Sequence, residues 1–136
     1  NSSEDYKTFI LESIEKASKN VALNYSIIYN NEVVGAISYN YIDTTNRKVV
    51  IGYWLGEEFQ NKGIMTRSVK HLINNAFDTL DMHRVEIACA KENHRSRKLP
   101  TKLGFTEEGV ARESAWLIDR FTDNIWYGLL KKEWKS

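Results

Sequence analysis

The run Ile51-Gly-Tyr-Trp-Leu-Gly-Glu-Glu-Phe-Gln-Asn-Lys-Gly-Ile-Met65, with the residues that follow it, decides how this chain is read. Val49 to Leu55 is an apolar run of β-formers with an aromatic pair, and it predicts a buried strand. Gly56 to Gly63 is a polar break. From Met65 the apolar residues fall at Met65, Val69, Leu72, Ile73, Ala76, Phe77 and Leu80, one face of an α-helix of about four turns. The loop therefore leads a row of backbone N–H groups into a helix N-terminus. Those donors have no partner within the helix, and they carry a partial positive charge, so the end is suited to an anion.

Within the loop, Gln60-Asn-Lys-Gly-Ile-Met65 nearly fits a Q/R-x-x-G-x-G/A pattern. Here the chain resembles the GNAT superfamily of N-acetyltransferases, in which this loop wraps the pyrophosphate of acetyl-coenzyme A. The resemblance implies that Gln60, Asn61, Lys62, Gly63, Ile64 and Met65 bind this co-substrate. Gly63 leaves room for the phosphates against the backbone, and Lys62 can add a point charge. Met65 departs from the general pattern, which has Gly or Ala. The longer string from Gly52-Tyr-Trp-Leu-Gly to Gly63-Ile-Met is similar to the Rim-type branch, the ribosomal-protein N-terminal acetyltransferases, where Met occurs at this place. An ordinary strand–loop–helix with a turn glycine is the alternative.

Composition bounds the other function classes. The 136 residues are enough for one domain with a core. Their 42% hydrophobic and 27% charged content is that of a globular protein. A net charge of +1 gives no bulk electrostatic case for nucleic acid. No apolar run is long enough to span a bilayer, no secretory signal opens the chain, and the default location is cytoplasmic. One cysteine excludes an internal disulfide framework, and no Cys/His cluster has zinc spacing, so no metal is expected.

Outward from the central stretch, Ser2-Ser-Glu-Asp5 has the form of a helix capping box, and Tyr6, Phe9, Ile10, Ile14 and Ala17 share a helical face, so a first helix is expected there. Leu23–Tyr29, Glu32–Tyr41 and Arg47–Leu55 read as three antiparallel strands. Asn30-Asn31 is the hairpin turn of the first pair, Gly35 marks a bulge or close approach, and Asp43-Thr-Thr-Asn46 is the next turn. After the long helix come a strand over Arg84–Ala90 and a short helix capped by Asn93 and stopped by Gly104. Pro100 lies inside that helix and cannot donate to the Ser96 carbonyl, which predicts a bend. Phe105–Leu117, interrupted near Gly109, and Asp123–Leu130 close the sheet around Asp119-Arg120.

This is the GNAT order without its usual first strand and first helix. The resemblance implies an α/β domain over residues 1–136, N-terminally truncated, whose mixed, mostly antiparallel sheet has helices on both faces. It further implies that the pantetheine arm lies between Val49–Leu55 and Arg84–Ala90, against the backbone of Tyr53, Trp54 and Leu55. Asn93-His-Arg-Ser96 resembles the Rim-type N-x-x-S segment. By that resemblance Asn93 bonds the pantetheine arm, and Ser96 hydrogen-bonds the sulfur and relays a proton to it. The alternative makes Asn93 a helix cap and Ser96 a first-turn residue. The family's glutamate base matches Ala115 here. Glu113, two residues earlier and on the same face if pairing is regular, is the candidate substitute, with a solvated surface residue as the alternative.

Other residues read more simply. Cys89 shares a face with Val85 and Ile87 and reads as a buried structural thiol. Trp54, Trp116, Trp126 and Trp134 read as core or interface. Arg95, Arg97 and Lys98 either approach the 3′-phosphate or form a solvated helix face. At pH 7, deprotonating an α-amine of pKa near 8 costs about 1.4 kcal/mol, against about 4.6 kcal/mol for a lysine side chain. A site without a strong base is therefore suited to an α-amine. The expected activity is acetyl transfer from acetyl-CoA to the N-terminal α-amine of a protein such as a ribosomal protein. A small amine or polyamine as acceptor, and a non-catalytic acyl-CoA-binding module, are the alternatives, and a homo-oligomer stays open.

Overall fold

The computed structural model describes residues 8–16, 21–60 and 63–135. Seven strands form one sheet: β1 (Thr8–Lys16), β2 (Val21–Tyr29), β3 (Glu32–Asp43), β4 (Lys48–Leu55), β5 (Arg84–Ala90), β6 (Thr106–Leu117) and β7 (Arg120–Leu130). Their order is β1-β2-β3-β4-β5-β7-β6. Every neighbouring pair is antiparallel except β4 and β5. A parallel pair needs a long crossover. It is supplied by helix α1 (Ile64–Asn74) and the π-helical turn Asn75–Thr79 that continues it. Helix α2 (His94–Lys102) links β5 to β6.

Local signals hold at the turns. Asn30 and Asn31 both adopt positive φ, as the two-residue hairpin requires. Asp43 closes the next turn by accepting from the Asn46 backbone and side-chain amides, both at 2.9 Å, and these bonds hold its carboxyl below the ordinary carboxylate range. At Gly35 the β2–β3 register shifts, and a Cβ there would lie 2.3 Å from the Trp54 carbonyl oxygen. Glycine is needed because two backbones meet at this point.

The first helix is a correction. Residues 8–16 form a strand, paired with β2 from Thr8 opposite Tyr29 to Lys16 opposite Val21; residues 1–7 and 17–20, including the capping-box motif, lie outside the described residues. The segment carries Thr8, Phe9, Ile10, Leu11 and Ile14, all acceptable in a strand, and the β2 edge offers it a full ladder. Tertiary pairing overrides a helical spacing of this kind.

The core occupies one face of the sheet. Val49, Ile51 and Leu55 of β4, Val85, Ile87 and Cys89 of β5 and Ile125, Tyr127 and Leu129 of β7 point into it, against Val69, Leu72 and Ile73 of α1 and Leu99 of α2. Cys89 is thus the buried thiol expected from its strand face. Both described α-helices pack on this one face, not on both. The alternate residues of β3 and β4, including Ala36, Asn40 and Trp54, carry no helix among the described residues. Trp54 and Trp116 accordingly are not core: they are 65% and 61% exposed, and Trp116 meets Phe121 edge to face at 5.0 Å. Trp126 and Trp134 are partly buried, the latter donating from Nε1 to Asn74 Oδ1 at 2.7 Å. No helix among the described residues is long and apolar enough to cross a membrane.

The junction of α1 with its π-helical turn is pinned by Tyr39. This fully buried phenol donates to the Leu72 carbonyl at 2.5 Å and accepts from Asn75 Nδ2 at 3.1 Å, and burial pushes its pKa well above the usual range. Tyr39→Phe removes two buried hydrogen bonds, although the Leu72 carbonyl keeps the Asn75 backbone N–H. It is expected to destabilise the chain by about 1–3 kcal/mol, lowering the thermal midpoint by roughly 3–8 °C. Thermal denaturation followed by circular dichroism checks this, and an unchanged midpoint contradicts it.

Candidate active site

The parallel ladder between β4 and β5 is short. It covers Lys48–Ile51 against Arg84–Ile87 and then stops. Beyond that point β4 stays with β3 as far as Leu55 opposite Gly35, and β5 stays with β7 as far as Ala90 opposite Asn124. Each strand follows its outer neighbour, so the two diverge. The β5-facing edge of Gly52–Leu55 has no strand partner among the described residues. Backbone groups left in this way call for another partner.

The gap opens into a cleft of about 620 Å³. Tyr53, Trp54 and Leu55 form one wall, and Asn93, Arg95, Ser96, Lys98, Leu99 and Lys102 of the α2 segment face them. Gln60, Gly63, Ile64, Met65 and Thr66 close one end. Of the residues expected to bind acetyl-coenzyme A, all but two line this one cleft. Asn61 and Lys62 lie outside the described residues.

Gly63 is the N-cap of α1 with φ 74°, and no side chain caps that end. The left-handed conformation is what a residue with no Cβ adopts without strain. The first-turn N–H groups of α1 therefore face the cleft end without a capping side chain among the described residues. Gln60 Nε2 donates to the Leu55 carbonyl at 3.1 Å and ties the loop to the end of β4.

Across the cleft, Arg95, Lys98 and Lys102 form one stripe of α2, and none of the ion pairs among the described residues involves them. Lys102 could have been found from sequence, because these positions recur at helical spacing. Arg97 is different. Its guanidinium donates to Tyr127 Oη at 3.1 Å and to the Lys91 carbonyl at 3.0 Å, and it pairs with Glu107, so it does not serve the cleft. A helix N-terminus opposite three cations suits a diphosphate-bearing ligand such as coenzyme A.

Asn93 caps α2: its Oδ1 accepts from the Ser96 N–H at 3.2 Å. Its NH2 group retains two donors for a ligand, so capping and binding are compatible. Ser96 sits where the strands part, with its Oγ 3.6 Å from Cys89 Sγ. Tyr53 Oη donates to the Ser96 carbonyl at 2.9 Å. Burial pushes the Tyr53 phenol far above its ordinary pKa, so it remains a donor at every working pH.

Glu113 is not brought to this cleft. The β6–β7 register shifts between Ala111 and Ala115, which breaks the alternation that regular pairing would give. Glu113 lies in that bulge with φ 46°, exposed, its backbone N–H bonded to Asp123 Oδ1 at 2.9 Å. Ala115 pairs with Thr122.

A mixed sheet with one prematurely ended parallel pair, a glycine-led helix start and a basic stripe across the gap thus meet in one cleft. Residues 1–106 match the model of the acetyltransferase (GNAT) domain, and the chain belongs to this family. It is 41% identical over 110 residues to YdaF of Bacillus subtilis (strain 168), provisionally named a ribosomal N-acetyltransferase; the match covers 81% of this chain and 60% of YdaF. It is 29% identical over 122 residues to the ribosomal-protein-serine acetyltransferase of Escherichia coli (strain K12), covering 90% of this chain and 68% of that protein. Among solved structures it is similar to RimL, a ribosomal L7/L12 alpha-N-protein acetyltransferase in complex with coenzyme A. There the TM-score is 0.75 with 33% identity, over 80% of this chain and 62% of that one. The chain thus spans about three fifths of the length of YdaF and RimL.

Proposed function

We propose that this chain transfers the acetyl group of acetyl-coenzyme A to an amine, and that the amine is the α-amine of a protein N-terminus, a ribosomal protein in the cytosol being the class of acceptor. The observation that carries the reading is the end of β4–β5 pairing at Ile51 and Ile87, directly before the wall that Ser96 faces. The names of the relatives support the acceptor class. In this reading Gly63 and the first turn of α1, with Arg95, Lys98 and Lys102, hold the phosphates. The open edge of Gly52–Leu55 takes the pantetheine amides, and Asn93 adds a bond from the far wall. A β4 N–H polarises the thioester carbonyl. The amine nitrogen forms the new C–N bond and gives up its proton to water. The C–S bond breaks, and Ser96 relays a proton to the departing sulfur, taking one from water as it gives up its own.

Among the described residues lining the cleft there is no carboxylate or histidine. Such a lining suits an acceptor with a nitrogen that is easily deprotonated, which favours the α-amine over lysine by roughly 3 kcal/mol at pH 7. A peptide with an N-terminal serine and an internal lysine, incubated with acetyl-coenzyme A and followed by mass spectrometry, tests this. The α-amine is expected to be acetylated at least about tenfold faster, with the rate climbing with pH up to about 8 as the amine loses its proton. Faster modification of the ε-amine or of a polyamine would overturn the acceptor assignment.

A further inference from the structure

Ser96 is left out of the α-helical ladder of α2 at both of its peptide groups. It stands in the first turn, where its N–H has no helical acceptor and goes instead to Asn93 Oδ1. Four residues on stands Pro100, inside the helix and without an N–H, so the Ser96 carbonyl lacks its regular i+4 helical donor. That carbonyl is taken by two side chains from the sheet: Tyr53 Oη at 2.9 Å and Cys89 Sγ at 3.6 Å. Tyr53 lies on β4 and Cys89 on β5, both beyond the last paired residues, one on each arm of the gap. A single carbonyl, freed by a proline, therefore joins helix α2 to both arms.

We propose that Tyr53 is a positioning residue for Ser96: Pro100 leaves the Ser96 carbonyl without its regular helical N–H, the Tyr53 hydroxyl takes that carbonyl, and holding it keeps the Ser96 hydroxyl at the open edge of β4. The inference rests on the acetyl-transfer reading for the role of Ser96, but the bond itself is independent of that reading. A thiol is a weak donor, so Cys89 does not replace the phenol. A proline in a helix interior is unfavourable by itself; here its missing N–H is what leaves the serine to be oriented by residues of the cleft. Tyr53 touches no reacting atom in this scheme and acts through Ser96.

The test is a pair of double-mutant cycles on the whole chain. In Pro100→Ala the new N–H at position 100 can serve the Ser96 carbonyl, so Tyr53→Phe should become nearly harmless in that background. Read first without ligand, Tyr53→Phe is expected to lower the thermal midpoint in the parent and to leave it almost unchanged in Pro100→Ala. Read next as turnover, Tyr53→Phe is expected to lower kcat about tenfold, with KM for acetyl-coenzyme A within about twofold, and Pro100→Ala is expected to restore most of that loss. In Ser96→Ala, Tyr53→Phe should add little. Equal losses in both backgrounds would overturn the proposal, since a phenol that only fills space gives no rescue; so would a loss confined to KM. A parent with no turnover would overturn the acetyl-transfer reading and with it the service to catalysis, whereas absent thermal coupling would refute the bond alone.

Discussion

Gly63→Asp is expected to weaken acetyl-coenzyme A binding by at least about a hundredfold. Gly63 holds φ 74° at the N-cap of α1, and among the described residues a Cβ built there has only the Arg67 guanidinium near it, at 3.2 Å. Space alone therefore does not forbid a side chain. The backbone strain is modest for Asp, which with Asn visits this region more readily than most residues, so the chain should fold. The effect comes from charge. A carboxylate about 4 Å from one phosphate charge costs about 4 kcal/mol at the effective dielectric of a protein surface, and 1.4 kcal/mol is a tenfold change in affinity. The carboxylate would also occupy the first-turn N–H groups as an N-cap and compete with the ligand for them. Gly63→Asn separates the two causes. It has the same shape and the same tolerance of positive φ but no charge, and it is expected to lose less than about tenfold. Calorimetry on the three proteins checks the prediction; equal affinity for the Asp and Asn variants would refute the assignment of a phosphate site at this helix start.

Ser96→Ala is expected to lower kcat by about ten- to a hundredfold, near the lower end for a lost general acid. The reason for the lower end is the leaving group. A thiol of ordinary pKa near 8.5 departs tolerably as thiolate at pH 7, so the proton from Ser96 assists rather than permits the step. KM for acetyl-coenzyme A should hold within about twofold, because the proposed seats of the phosphates and the pantetheine arm do not involve the Ser96 hydroxyl. The deficit should narrow toward pH 9, where the thiolate needs no proton. Steady-state kinetics at two pH values read all three expectations. A variant with full kcat, or one whose defect lies wholly in KM, would return Ser96 to the role of a first-turn helix residue. The Ser96–Cys89 contact is long, at 3.6 Å, so little stability should be lost with the hydroxyl.

Much of this site was legible because its signals are local. A strand ending in Gly52-Tyr-Trp-Leu, a polar break and a helical apolar period each depend on residues close in sequence, and the structure places β4, and α1 taken together with its π-helical turn to Thr79, within a residue of those limits. The Asn93 cap, the Asn30-Asn31 turn and the Gly104 stop, at φ 90°, are of the same kind. The proline argument also pointed to the Ser96 carbonyl as the group left over. What it could not supply was Tyr53, 43 residues away in sequence, as the donor.

The rest was hidden because it depends on partners. The divergence of β4 and β5 exists only because β3 and β7 each hold one strand, and no window of sequence contains that competition. Thr8–Lys16 has a helical spacing of apolar residues, yet pairs along the whole of β2. Glu113 was placed beside Ala115 by assuming regular alternation, and the bulge after Ala111 removes that assumption. The two exposed tryptophans, Trp54 and Trp116, follow from which sheet face and which hairpin end the helices leave uncovered.

The central claim is that the gap between β4 and β5 is a seat for acetyl-coenzyme A. Titration of this chain with acetyl-coenzyme A by isothermal calorimetry tests it most directly, with the fold verified by circular dichroism in the same sample. Saturable binding of one molecule per chain is the predicted result, weakened by added salt because Arg95, Lys98 and Lys102 line the cleft as cations. No heat of binding from a folded chain would contradict the claim, and the assignments of Gly63, Asn93 and Ser96 would fall with it.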